Sequence, residues 1–311
     1  MKMASLKEGI MVTMLICIMI TASTFIIMYD MDVTNMTRLK KYIYVPSIFR
    51  NNEREFTIGM NTKKISIGIG CAVSTKGFNI SSVLSTLPVF TTLMPSFCET
   101  VSKVYSYHFY ISYDYTDAFF KEQNSRDSFK AKFMDMVKKL CSSSIPIYLH
   151  FVRCPCKGAP AHAQNYAMIA AYSDSIDYLY RINDDTKMVT KSWTETFIAE
   201  LSKFSPPNVG VVGPNHQGGN TAIMTYDFVH RTHIEIFGFH YPAVFTGWFA
   251  DDWITAVYKP NRSKKIANVR VIHTMAVGTR YNVRSDLATK VKGQVEHDKK
   301  TLDSWLKKNK L

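Results

Sequence analysis

From Lys63 onward the chain alternates apolar runs too short for a helix with longer runs of helical period, and this alternation restricts the fold more than any other feature. "KKISIGIGCAV" is an Ile/Gly/Val run that suits a strand buried on both faces. "YSYHFYISY", "IPIYLHFV", "IDYLYRI", "NVGVVGP" and "ANVRVIH" read as further strands. Between them, Phe129, Phe133, Met136, Val137 and Leu140 recur at i, i+4, i+7, i+8 and i+11, one face of a helix. The alanine-rich "APAHAQNYAMIAAY" carries Pro160 near its start, where a helix tolerates proline, and "KSWTETFIAELSKF" is another helix. The pattern predicts an α/β fold with a mostly parallel sheet and helices on both faces. In such sheets ligands bind beyond the carboxyl ends of the strands.

The N-terminus adds a second constraint. From Gly9 to Tyr29, "GIMVTMLICIMITASTFIIMY" holds no charged residue, and at about 1.5 Å per residue it is long enough to span a bilayer. Lys2 and Lys7 precede it and Asp30 and Asp32 follow, a charge balance that favours a cytosolic N-terminus. A cleaved signal peptide competes, but the run is longer than a usual signal core and lacks a clean A-x-A site. The expected organisation is a cytosolic tail at 1–8, a transmembrane signal anchor at 9–29, a stem at 30–62, one folded domain at 63–285 and a basic helix or tail at 286–311. That makes a single-pass type II membrane protein whose body faces the ER or Golgi lumen. Sequons at Asn35, Asn79 and Asn261 are compatible with that placement, as for a glycoprotein, although their number is near chance. Outside the apolar span lie Cys71, Cys98, Cys141, Cys154 and Cys156, enough for one or two disulfides with at least one thiol left over. Cys154-Pro-Cys156 lacks the further ligands of a zinc site.

Lys plus Arg exceed Asp plus Glu by 38 − 25 = 13. The excess suits a phosphate-bearing substrate or an anionic surface, but it is spread along the chain rather than gathered in one arm, so nucleic-acid binding is a minor reading. There is no G-x-G-x-x-G after the first strand and no G-x-x-x-x-G-K-[ST] anywhere, which makes the dinucleotide oxidoreductases and the P-loop enzymes poor candidates.

Against this basic background, "YLYRINDDTKM" sets Asn183, Asp184 and Asp185 at the end of a buried strand. Asp185 or Thr186 could cap a following helix. The group could equally be a site for a hard divalent cation, which prefers carboxylate and amide oxygens.

The strand and its acidic turn resemble the GT-A nucleotide-sugar glycosyltransferases, nearest in flavour to the β-1,3-galactosyltransferase-like group, whose D-x-D motif holds Mn²⁺ or Mg²⁺ against the donor diphosphate. Here Asn183 stands first, a departure, while Asp185 keeps the family's main position. The resemblance implies Asp185, Asn183 and His273 as metal ligands, His273 closing the late strand of "VRVIHTMAVGTRYNV". It implies Asp184, Asp114 and the Gly218-Gly219 of "HQGGNTAIMTYDFVHR" as donor contacts, Asp114 meeting the nucleotide base. It implies Asp252, or Asp251, of "GWFADDWITAVY" as the base that faces the acceptor hydroxyl. The activity implied is transfer of a sugar from a UDP- or GDP-sugar to a hydroxyl on a glycan, glycoprotein or lipid. Simpler roles stay open: Asp251-Asp252 as a helix cap, His273 as a strand-end histidine, and Asp114 with Asp117 as a turn. Trp193 and Trp253 read as core, Trp248 as part of the acceptor loop, and His230 to His233 as packing or a phosphate contact in a helix. A catalytically inactive GT-A fold that binds glycans or a partner protein is the alternative function.

Overall fold

The computed structural model describes residues 64–309, apart from 276, 277 and 279. The expected cytosolic tail, signal anchor and stem, with Asn35, lie outside the described residues. Within them the chain runs β1 (Ser66–Ala72), a helical stretch Ile80–Thr100 that contains α1 (Val83–Thr86) and α2 (Met94–Thr100), β2 (Ser106–Asp114), α3 (Gln123–Leu140) and β3 (Ile147–Cys154). Next come α4 (Pro160–Ser173), β4 (Tyr178–Asn183), β5 (Thr186–Met188), α5 (Trp193–Leu201), β6 (Val211–Gln217) and β7 (Phe228–His230). The chain closes with α6 (Thr232–Phe237), α7 (Ala250–Val257), β8 (Ser263–His273) and α8 (Lys290–Lys308).

The eight strands form one sheet in the order β3-β2-β1-β4-β7-β6-β8-β5. β1 pairs in parallel with β2 and β4, β2 with β3, and β6 with β8. The expected mostly parallel α/β sheet is therefore present. Two short strands were not foreseen, and both run antiparallel to their neighbours: β7, between β4 and β6, and β5, against β8. After β3 the chain returns to the other side of β1, so the ends of β1 and β4 sit at the point where strand order reverses, the usual place for a ligand crevice.

The alternation in β1 explains the packing. Ile67, Ile69 and Cys71 point into one core cluster with Phe97, Phe129, Phe133, Trp193 and Phe197 of α2, α3 and α5. The glycines between them face α4, and a Cβ on Gly70 would come within 1.8 Å of Met168. An alanine-rich helix over glycines lets helix and sheet approach closely, and α4 does lie on β1, β2 and β3. The second cluster, on that face, gathers α4, α6 and α7 with Leu302 of α8. Helices thus cover both faces. The basic C-terminal helix is α8, fastened to the body by Trp253, whose indole N–H donates to buried Asp298 at 2.9 Å.

Among the described residues one helical stretch, Ile80–Thr100, is long and apolar enough to cross a membrane, and half of it is buried inside the domain. Its Val83, Leu87, Phe90, Leu93 and Phe97 belong to the first core cluster. Of the five described cysteines, Cys98 bonds Cys141, Cys154 bonds Cys156, and Cys71 is a buried free thiol.

Candidate active site

The acidic turn is built by Thr186. Its hydroxyl donates to the Asn183 carbonyl at 2.8 Å and accepts the Asn183 N–H at 3.2 Å, closing β4 onto β5. The turn leads into a strand, so neither Asp185 nor Thr186 caps a helix. Asp184 and Asp185 are only 2% and 5% exposed, and buried carboxylates need partners. The two find different ones.

Asp184 receives Nη2 of Arg280 at 2.7 Å on Oδ1 and 2.9 Å on Oδ2, while Nη1 of the same arginine donates to the Ser74 carbonyl at 2.7 Å, just past β1. Burial works against the charge of Arg280, but Asp184 and then Asp185 outweigh it and hold the guanidinium firmly protonated. Asp185 instead meets His273, whose Nε2 lies 3.3 Å from Oδ1. The antiparallel pairing of β5 with β8 sets this contact, because it places Thr186 opposite His273. The Thr274 N–H and hydroxyl then hold the Asp185 carbonyl at 3.3 and 2.9 Å.

The glycine pair lies against the same histidine. Gly218 and Gly219 have φ of +88° and +70°. A Cβ on Gly218 would stand 2.6 Å from the His273 carbonyl oxygen, and one on Gly219 would stand 3.4 Å from Nδ1. The neighbour these glycines approach closely is the His273 backbone and ring. Gly218→Ala should lose about 1–3 kcal/mol of stability through its left-handed backbone and the collision with β8, read as a lower denaturant midpoint. An unchanged midpoint would mean that this loop relaxes freely.

The later acidic pair occupies the first turn of α7, after Phe249 with φ of +76°. Asp251 Oδ2 accepts the Thr225 hydroxyl at 3.3 Å. Partly buried Arg181 donates Nη1 to the Thr225 carbonyl and Nη2 to Gln164 Oε1 at 2.8 Å, so Thr225 joins Arg181 to Asp251. Asp252 is half-buried; burial pushes its carboxyl upward and the like charge of Asp251 adds to the shift. Trp248, 52% exposed, precedes the pair. Tyr281 packs on Gly247 and lies within the electrostatic reach of Asp251, Arg181 and Arg280.

A cavity of about 820 Å³ opens at the ends of β1 and β2 and the start of α4, lined among others by Lys76, Phe78, Asp114, Lys157, Arg280 and Tyr281. Its volume suits a small-molecule ligand. Asp114 stands in its wall and accepts the Gly158 N–H at 2.6 Å; burial pushes its carboxyl upward, that hydrogen bond opposing. Asp117 has a scaffold role. It accepts the Thr75 N–H and hydroxyl at 2.8 and 2.7 Å and the N–H groups of Phe119 and Phe120 at 3.1 Å each. The expected turn between Asp114 and Asp117 is present, with the Asp117 N–H on the Asp114 carbonyl at 2.9 Å.

The structure therefore brings Asp185, His273, Gly218 and Gly219 together, with Asn183 in the same turn. Asp114 stands in the cavity wall, and Asp184 meets that cavity through Arg280. Among the described residues no group of three or more His, Cys, Asp or Glu could hold a metal ion. Asp185 and His273 bring one oxygen and one nitrogen donor into contact, with Asn183 in the same turn, a donor set that a cation such as Mg²⁺ or Mn²⁺ could share.

Trp193 and Trp253 are core residues, as expected. His230 ends β7 rather than lying in a helix. His233 is buried packing, bonded to the Tyr258 hydroxyl and the His240 carbonyl at 2.9 Å each. Sequence reasoning missed Arg181, Arg280 and Tyr281. A charge inside the apolar run of β4 marks Arg181; nothing in the pattern around Arg280 and Tyr281 marks them.

No protein-family model matches the chain, and no curated protein matches it in sequence. Among solved structures, the chain is similar to Staphylococcus aureus TarS residues 1–349 in complex with UDP, at a TM-score of 0.45 and 11% identity, over 75% of this chain and 65% of that one. It is also similar to S. aureus TarS 1–349 in complex with UDP-GlcNAc, at a TM-score of 0.41 and 10% identity, over 75% of this chain and 66% of that one. Against a longer TarS chain the TM-score is 0.43 at 11% identity, and this chain spans 43% of that length.

Proposed function

We propose that this chain is a metal-dependent GT-A glycosyltransferase of the hexosyltransferase class, taking a UDP- or GDP-sugar as donor and a hydroxyl on a glycan, glycoprotein or lipid as acceptor. The contact of Asp185 with His273 carries the reading. Two residues 88 apart in sequence, each expected as a cation ligand, meet at 3.3 Å at the carboxyl ends of their strands, and the neighbouring Asp184 pairs with Arg280 in the wall of a ligand-sized cavity. Asp185, His273 and Asn183 would hold Mn²⁺ or Mg²⁺, which when bound neutralises the charge developing on the leaving diphosphate. Asp114, in the cavity wall, would meet the nucleotide. Asp252 takes the proton of the acceptor hydroxyl as the acceptor oxygen bonds to the anomeric carbon and the bond to the diphosphate oxygen breaks. The upward shift of its carboxyl matches it to that task. Asp251, tied to Thr225, positions the turn.

The uncharged run at 9–29 and the two disulfides favour an anchored protein whose body lies in an oxidising lumen, the ER or Golgi. The test is the full chain in detergent with a panel of UDP- and GDP-sugars and Mn²⁺. Hydrolysis or transfer from at least one donor, abolished by EDTA, is expected; inactivity across the panel overturns the enzyme reading. A non-catalytic glycan- or protein-binding module is the second reading, favoured by Asn183 at the first position. Calorimetry that finds glycan binding without nucleotide or Mn²⁺ binding would select it.

A further inference from the structure

The cavity is asymmetric in charge. Of its two acids, Asp117 is surrounded by N–H and hydroxyl donors, and Asp114 accepts the Gly158 N–H. Its cations are Lys76, Lys157, Arg280 and Arg284. Lys76 and Lys157 line it and have no ion pair among the described residues. Arg280 stands at its inner wall, 18% exposed in its side chain against 3% for Asp184 behind it, so the pair presents its positive member to the cavity. The guanidinium lies 6.0 Å from the centroid of the Phe78 ring, which lines the same space. An arginine has five N–H donors. Asp184 and the Ser74 carbonyl engage Nη2 and one Nη1 hydrogen, and among the described residues the Nε–H and the second Nη1 hydrogen have no partner. A fork fixed on one side and open on the other is suited to phosphate oxygens.

We infer that Arg280 is a donor-diphosphate ligand of this cleft, so that a nucleoside diphosphate binds without a divalent cation although turnover requires one. The inference rests on the glycosyltransferase reading and divides its labour. Asp184 is committed to Arg280, so it leaves the cation to Asp185 and His273, while the protein's own fixed charge holds the diphosphate in the ground state.

The test is calorimetry of UDP, GDP and their nucleosides with the full chain, in Mn²⁺ and in EDTA. Diphosphate affinity in EDTA should stay within about tenfold of that in Mn²⁺ and exceed that of the nucleoside. Arg280→Met alone would strand a buried carboxylate, so it is combined with Asp184→Asn. The double variant should lose roughly 10- to 100-fold in EDTA, with Arg280→Lys intermediate. In the unaltered chain, the ¹⁵Nε signal of Arg280 should move with UDP or GDP and not with the nucleoside, a readout that needs no variant to fold. Diphosphate binding that disappears in EDTA, a folded double variant that binds like the parent, or an unmoved Arg280 signal at saturation would each overturn the inference. If no nucleotide binds even with Mn²⁺, the glycosyltransferase reading itself falls.

Discussion

Asp185→Ala is expected to lower turnover by about 10³-fold or more at saturating donor and Mn²⁺, while nucleoside diphosphate affinity measured in EDTA stays within about threefold of the parent. Asp185 is the one carboxylate of the acidic turn that Arg280 does not engage, and its removal would leave only His273 and Asn183 of the proposed cation ligands. A bound cation contributes several kcal/mol of transition-state charge stabilisation, and each 1.36 kcal/mol or so is tenfold in rate, so three decades is a modest figure. The fold should survive, because Thr274 bonds the Asp185 main-chain carbonyl, which alanine keeps, rather than its carboxylate. Both numbers come from one preparation, by initial rates with Mn²⁺ and by titration in EDTA. Activity within tenfold of the parent would move the cation elsewhere. An equal loss of affinity in EDTA would mean that Asp185 shapes the diphosphate site itself.

The parts of the site legible in the sequence are those set by strand ends. β1, β2, β4 and β8 each announce themselves by an apolar run that stops at a polar residue, so Asp114, Asn183 and His273 could be placed at the same edge of the sheet before any coordinates. What brings His273 to Asp185 could not be read. It depends on β5, three residues with no pattern of their own, pairing antiparallel with β8. β7 was missed for the same reason: Phe228-Val229-His230 is too short to show a period. Gly218 and Gly219 were expected to approach the donor, and their packing on His273 could not be read because that contact crosses 55 residues of chain. Arg280 lies beyond the last strand in irregular backbone, and its role follows only from what surrounds it. Periodicity reports burial on one element at a time; a charge that bridges Ser74, Asp184 and a cavity belongs to three segments at once.

The division within the later acidic pair gives the second large effect. Asp252→Ala should lower turnover by roughly 10² to 10⁴, the usual worth of general base catalysis, with donor affinity nearly unchanged because Asp252 is not among the residues that line the cavity proposed for the diphosphate. The pH profile separates this role from a structural one. A base works deprotonated, so the rate falls as pH drops through the carboxyl pKa of Asp252. Burial raises that pKa and Asp251 raises it further, which puts the acid limb of kcat/KM above the ordinary carboxylate range near pH ~4. Asp251→Asn removes the like charge while its amide oxygen can still accept the Thr225 hydroxyl, so the acid limb should shift toward lower pH with the rate at neutral pH largely kept. Parallel profiles of the parent chain, Asp251→Asn and Asp252→Ala decide the matter. Full activity in Asp252→Ala would end the base assignment. A limb that stays in place when the Asp251 charge is removed would show that another group titrates there, because two neighbouring carboxylates on one helical turn cannot lose a charge without the other responding.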